Sequence, residues 1–383
     1  MPAATWDIFC AVVDNYGDIG VCWRLARQLA GERGHSVRLW VDDLKSFSRL
    51  LPELDTRLEA QTLRGVDIRH WVTPFPKTEP GDVVIEAFAC ELPENFVLAM
   101  ARTNPAPRWL NLEYLSAEDW VAGCHGLPSP HPRLPLVKHF FFPGFTPETG
   151  GLLRENGLLE RRALFQADRA AMAAFWSRLG LPPHQPEELR LSLFSYANVA
   201  TLDLLEAWRD SPQAVTCLVP EGTAVAALAG AEFGMDATPG SRHRVGNLSL
   251  FILPFLEQDD YDRLLWACDL NFVRGEDSFV RAQWAARPFV LHIYPQREDI
   301  HHGKLNAFLD RYCATLPHEA AAAVRRLGHA WNGVGDTGDI AAIWRDFIAQ
   351  SSELHAHGQN WAEHLKKSGD LATRLENFPI NGL

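Results

Sequence analysis

The stretch WDIFCAVVDNYGDIGVCWRLARQLA, residues 6–30, decides the fold. Its first eight residues read as a buried strand. A tight loop carrying Gly17 and Gly20 follows, and then Val21, Cys22, Leu25 and Leu29 form a helical apolar stripe opposite Arg24, Arg27 and Gln28. Strand, turn and helix in this order open an α/β unit. Two acids, Asp14 and Asp18, stand at that turn. A helix N-terminus favours anions, and acidic residues beside it compete with a phosphate. The glycines permit the close backbone approach of a dinucleotide fingerprint, but GxGxxG is absent. The loop therefore suits a cationic or hydroxylic ligand. A plainer reading stays open: Asp18 caps the helix and Asp14 solvates a turn.

The same alternation continues outward. SVRLWVDD, VDIRHW, DVVIEAF and RWLNLEYL are further strands, too apolar on both faces for an open antiparallel sheet, so a parallel sheet covered by helices is expected. A long helical region, residues 154–180, leads into the proline-rich LPPHQPEE, which marks a domain boundary. A second alternation follows with LRLSLFSY, AVTCLVPE, LSLFILPF, LNFVRG and PFVLHIYPQ as strands, and an alanine-rich helix near Val225 among the helices. The expected fold is two Rossmann-like α/β domains facing a central cleft. The first spans 1–180 and the second 181–359, with a helical tail from about 360 to 383 packing back on the first.

The 383 residues suit two domains of ordinary size, and 47% hydrophobic with 22% charged residues describes a globular protein. No apolar run approaches the roughly 18 to 20 residues of a membrane span, and the first strand lacks a basic flank, so neither a membrane anchor nor a signal peptide is expected. The expected location is the cytoplasm. A net charge of -12 argues against a nucleic-acid partner, whose phosphates demand a basic face. The 7 cysteines are scattered without CxxC and read as reduced, packed thiols. The histidines lack ligand spacing, and the adjacent His301 and His302 would not share a helix face, so no metal site is expected.

In open α/β sheets ligands bind beyond the carboxyl ends of the strands. There, in the second domain, stands NFVRGEDSFVRAQWA, residues 271–285. A strand ends, Arg274 and Gly275 turn the chain, and Asp277 or Ser278 caps a helix whose first amides point back at the turn. A diphosphate fits that place. Arg274 offers a permanent, bidentate charge, while Glu276 suits sugar hydroxyls. The alternative is a structural turn with Arg274 paired to Asp277. Phe194 and Tyr196 alternate onto one face where their strand stops, and Phe255 follows a strand-closing proline. Such rings either pack in the core or stack on a flat base.

VVDNYGDIGVCWRLARQL, VIEAFACELPEN, LNLEYLSAEDW, FFFPGF, GGLLRE, FSY and RGEDSFVRAQWA, in this order and over most of the chain, closely resemble the bacterial protein-arginine rhamnosyltransferases of elongation factor P, the EarP family. The resemblance implies a GT-B glycosyltransferase architecture and a metal-independent, cofactor-free reaction. Rhamnose would pass from dTDP-β-L-rhamnose to one arginine of the factor, with inversion, and the modified factor would help ribosomes through consecutive prolines. It implies that Asp18 is the general base and that Asp14 orients the acceptor guanidinium. Tyr16, Gly17, Phe194, Tyr196, Phe255, Gln258, Arg274, Glu276, Asp277 and Ser278 would contact the donor, with Glu276 also catalytic. Glu113 and Tyr114 lie in a family motif without a role that their chemistry assigns. The competing readings are a transferase or epimerase acting on a small molecule, a nicotinamide-binding module and a non-catalytic scaffold.

Overall fold

The computed structural model describes residues 3–13, 16–198, 200–222, 238–335 and 338–379. By packing, the chain divides into two units, Met1–Asn156 with Leu365–Leu383, and Gly157–His364. The sequence places the first division after residue 180 instead. The cause of the difference is side-chain burial. The helices Leu158–Ala167 and Arg169–Arg178 pack on the second unit, where Phe175, Trp176 and Leu181 share a core with Leu218, Leu253 and Leu264. Gln166 adds two 3.0 Å hydrogen bonds, donated to the carbonyls of Trp266 and Ala285. The proline-rich stretch belongs to the same unit: His184 lies 3.2 Å from Asp269, and the Arg190 guanidinium donates to the Pro182 carbonyl.

The first unit holds β1 (Thr5–Cys10), β2 (Ser36–Val41), β3 (Ala60–Leu63), β4 (Val66–His70), β5 (Val83–Ala87), β6 (Arg108–Leu112), β7 (Pro128–Pro130) and β8 (Val137–Phe141). They form one sheet in the order β3-β4-β2-β1-β5-β6-β8-β7, parallel except for the two antiparallel edge strands β3 and β7. β1 lies in the middle and is buried on both faces, which its apolar run requires. Asp7, the acid within it, is fully buried and satisfied by the Arg38 fork at 2.7 and 2.6 Å, by Trp40 Nε1 at 2.9 Å and by the Gly81 amide at 2.7 Å.

Helix Gly17–Gly31 departs from its expected amphipathic pattern. Arg24 and Gln28, read as its solvent face, are each 1% exposed. Arg24 meets Glu155 at 3.5 Å, and the Gln28 amide donates to the Arg154 carbonyl at 2.9 Å and to Asp370 at 3.3 Å. The covering segment comes from the far end of the chain. Leu371 N–H donates to the Leu152 carbonyl, Asp370 caps helix Leu371–Glu376, and Arg374 donates to the carbonyls of Pro147 and Thr149 at 2.7 Å.

The second unit holds β9 (Leu189–Leu193), β10 (Val215–Pro220), β11 (Arg242–Val245), β12 (Leu248–Leu253), β13 (Leu270–Arg274) and β14 (Phe289–His292), ordered β11-β12-β10-β9-β13-β14 with β11 alone antiparallel. The alanine-rich helix expected near Val225 lies outside the described residues. Among the described residues no helix is long and apolar enough to cross a membrane.

Both sheets are wound the same way. In the first, succession runs outward from β1 through β2 and β4, then restarts at β5 on the other side of β1. In the second it runs from β9 through β10 and β12, then restarts at β13. Each reversal leaves a crevice at the carboxyl ends of two neighbouring strands, between β1 and β5 and between β9 and β13. The candidate residues converge on these two places.

Candidate active site

At the first crevice, helix Gly17–Gly31 begins with Tyr16 as N-cap, so Asp18 sits inside the first turn rather than capping it. Its carboxylate reaches backward and across. Oδ2 accepts the Val13 amide at 2.9 Å and Oδ1 accepts the Tyr114 hydroxyl at 3.0 Å, in a residue only 1% exposed. Asp14, its expected companion, lies outside the described residues.

The loop after β5 completes this crevice. Phe88, Ala89 and Glu91 all have positive φ, of 56°, 54° and 51°, in a region that side chains with a Cβ rarely occupy. Such backbone persists where its surroundings over-determine it. Here Phe88 N–H donates to the Leu112 carbonyl at 2.7 Å, Cys90 Sγ donates to the Phe9 carbonyl at 3.4 Å, and the Phe88 ring stacks on Tyr114 with centroids 4.4 Å apart and planes 18° from parallel. Glu113 accepts a hydrogen bond from Asn111.

At the second crevice Arg274 ends β13, nearly buried, with its guanidinium carbon 4.6 Å from the Phe194 ring centre and 4.4 Å from that of Tyr196. A charge held over two ring faces is attracted by both quadrupoles. Gly222 gives the Phe194 ring its place: a Cβ there would meet the ring at 3.1 Å. Gly275, at φ 66°, makes the turn after Arg274.

The capping expected of Asp277 or Ser278 is not what forms. The N-cap of helix Asp277–Trp284 is Glu276, without a side-chain cap bond. Ser278 Oγ turns back instead, accepting Arg274 N–H at 3.1 Å and donating to the Arg274 carbonyl, which fixes the backbone that carries the guanidinium. Asp277 accepts a hydrogen bond from Gln258 Nε2 at 3.2 Å. Phe255 lies half-buried in the loop that leads to helix Gln258–Ala267.

One turn deeper, the Arg281 fork grips Asp262 at 2.9 and 2.6 Å in a fully buried pair. The two helices that frame the crevice are thus tied at two successive turns, 258 to 277 and 262 to 281. Removing one partner strands a buried charge, so Arg281→Met is expected to cost about 3–5 kcal/mol of stability. Urea unfolding of the purified variant checks it, and a loss below about 1 kcal/mol would refute the estimate.

Three residues at this crevice escape the sequence reading. Tyr261 packs edge-on to Phe194 at 5.8 Å, and His292 and Tyr294 pack edge-on to Tyr196 at 5.3 and 5.5 Å. The signal existed: Tyr294 stands two residues past the end of β14, as Phe194 and Tyr196 stand one and three residues past the end of β9. Burial, with the Arg274 charge adding to it, pushes the His292 imidazole down to about 4. It is therefore neutral near pH 7 and sets no second cation against Arg274.

His301 and His302, expected to point apart, have ring centroids 4.3 Å apart and lie near Asp299. The left-handed Glu298 and Asp299 bend the chain where their helix begins. His301 Nδ1 accepts the Gln296 amide at 3.2 Å, so the neutral ring carries its proton on Nε2 and offers no lone pair there. Asp299, His301 and His302 nevertheless bring one ligand atom each within 4.8 Å of one another, a grouping that the sequence spacing did not announce.

The family model for elongation-factor P (EF-P) rhamnosyltransferases, EarP, matches residues 6–379. The chain belongs to this family. A protein-arginine rhamnosyltransferase of Pseudomonas aeruginosa is 51% identical over 98% of both chains, and one of Neisseria meningitidis is 38% identical over 98% of this chain and 97% of its own length. A solved structure described as the basis for EarP-mediated arginine glycosylation of translation elongation factor EF-P is 38% identical, covers 98% of each chain and superposes with a TM-score of 0.68. The protein is thus a glycosyltransferase of the EarP family, with the paired α/β units of the GT-B class.

Proposed function

We propose that the protein transfers L-rhamnose from dTDP-β-L-rhamnose to one arginine side chain of EF-P, with inversion at the anomeric carbon. The observation that carries this reading is Arg274, held between Phe194 and Tyr196 at a topological switch point. A permanent cation beside aromatic surfaces suits a diphosphate and its base, in a chain of this family. A translation factor as acceptor places the enzyme in the cytoplasm.

The chemistry follows from charge. The acceptor is a cation, and the acids of the first crevice attract its planar fork, with Asp14 orienting it and Asp18 receiving the proton. An ordinary Asp lies roughly 9 pKa units below guanidinium, about 12 kcal/mol uphill for prior deprotonation. The proton therefore leaves as the bond forms. The guanidino nitrogen attacks the anomeric carbon and the sugar–phosphate C–O bond breaks with its electron pair. The dTDP so released is stabilised by Arg274 and by the first amides of helix Asp277–Trp284. These groups supply the positive charge that other transferases take from a divalent ion, so the reading needs neither metal nor cofactor. Tyr16 and Gly17 line the acceptor loop against the donor, Glu276 addresses the sugar hydroxyls, and Gln258, Phe255, Asp277 and Ser278 complete the nucleotide side.

Incubation of EF-P with the protein and dTDP-rhamnose, read by intact mass, tests the proposal. The expected product is EF-P heavier by one deoxyhexosyl group, lost when the acceptor arginine is replaced by lysine. An unchanged mass would refute it. On the donor side, Phe194→Ala is expected to weaken dTDP binding by roughly 1–3 kcal/mol, the worth of one stacking ring. Calorimetric titration measures this, and an unaltered affinity would place the ring in packing alone.

A further inference from the structure

Resting on that reading of the first crevice, we infer that Tyr114 has two roles in acceptor use: its hydroxyl holds the Asp18 carboxylate in its working orientation, and its ring is a stacking surface for the acceptor guanidinium. The first role follows from the 3.0 Å bond to Asp18 Oδ1. An acid buried at a helix N-terminus needs donors, and a phenol is a donor of a particular kind. It stays neutral up to about pH 10, so it orients the carboxylate without cancelling its charge. Lysine or arginine in that place would form the ion pair that the incoming arginine has to form.

The second role follows from the ring's surroundings. Phe88 covers one face at 4.4 Å, nearly parallel, and Tyr114 remains 40% exposed, so the residue still presents surface to a ligand. A guanidinium bonded to the carboxylate that the Tyr114 hydroxyl also touches comes within the about 6 Å over which ring and cation attract. The stacked Phe88 braces the platform from behind. The three left-handed residues of its loop are the backbone cost of putting that ring there. The second unit shows the same chemistry in place, with Arg274 over Phe194 and Tyr196 at 4.6 and 4.4 Å. Tyr114 thus acts on Asp18 as a positioning residue and on the acceptor by direct contact.

Two substitutions separate the roles. Tyr114→Phe keeps the ring and removes the hydroxyl. It is expected to lower kcat about tenfold to a hundredfold, the range for one hydrogen bond to a charged group, while the acceptor KM stays within about twofold. Tyr114→Leu removes the ring as well and is expected to raise the acceptor KM a further fivefold or more, as loss of a cation–π contact requires. The Kd of dTDP, measured on the same samples, should not move in either variant. Damage to the fold alone would not split kcat from KM in this way. A wild-type kcat in Tyr114→Phe would overturn the positioning role, and an equal acceptor KM in the two variants would overturn the platform. Wild-type enzyme run in parallel on EF-P separates these failures from failure of the underlying reading: no transfer by wild type would overturn that reading and this one together.

Discussion

Asp18→Asn is expected to lower rhamnosyl transfer by 10² to 10⁴, the usual contribution of a general base, while leaving donor affinity unchanged. The substitution suits the purpose because the fold has little reason to notice it. The asparagine oxygen still accepts the Val13 amide, and the Tyr114 hydroxyl, which can accept as well as donate, can turn to meet the new NH₂. What disappears is the charge that attracts guanidinium and the site that takes its proton. Single-turnover transfer under saturating donor measures the chemical step, and titration with dTDP measures the donor side. A variant that melts like wild type and transfers at a near-normal rate would remove Asp18 from the role of base, and Asp14 would be the acid to test next.

Arg274→Met is expected to lower transfer by about 10² to 10³, the range for losing one charged stabiliser of the departing group. Methionine preserves most of the stem and a polarisable end between the rings of Phe194 and Tyr196, so packing changes little and the loss reports on charge. Affinity for dTDP should fall with the rate, since the diphosphate exists both before and after transfer. Arg274→Lys should recover only part of either quantity, because an ammonium keeps the charge without the planar fork that stacks and binds in two places at once. Turnover equal to wild type in the methionine variant would exclude Arg274 from leaving-group stabilisation.

The parallel strands and their ligand-facing ends were legible because strands buried on two faces leave long apolar runs, and because polar and aromatic residues sit where those runs stop; the strand order that makes two of those ends switch points was not. Local chemistry sufficed to single out Arg274, Phe194 and Tyr196 as strand-end residues, which the structure brings together. It failed wherever the partner is distant in the chain. Asp18 and Tyr114 lie 96 positions apart, and nothing near either residue announces the other. Arg24 and Gln28 look like a solvated helix face because the group covering Gln28 belongs to a residue 342 positions away. The proline-rich stretch 181–188 carries every local mark of a linker, yet the burial of Phe175, Trp176 and Leu181 assigns it and the helices before it to the second unit. The capping of helix Asp277–Trp284 was misread for a subtler reason: a serine in the first turn can serve the preceding carbonyl as readily as its own helix's amides.

The interrupted first unit bears on the order in which the chain matures during synthesis. The second unit is one unbroken segment, Gly157–His364, so all of its strands have left the ribosome before the helix Leu371–Glu376 exists. Domains fold as units while the chain emerges. Until Asp370 arrives, Gln28 lacks its acid partner, Arg33 lacks Asp370 and Thr373, and the helix that carries Asp18 rests on an unfinished surface. The unit that carries Arg274 is therefore ready first, and the unit bearing the proposed base waits for the later segment. A nascent chain can thus complete its second unit while the helix that carries the proposed base still waits for its last buried partners.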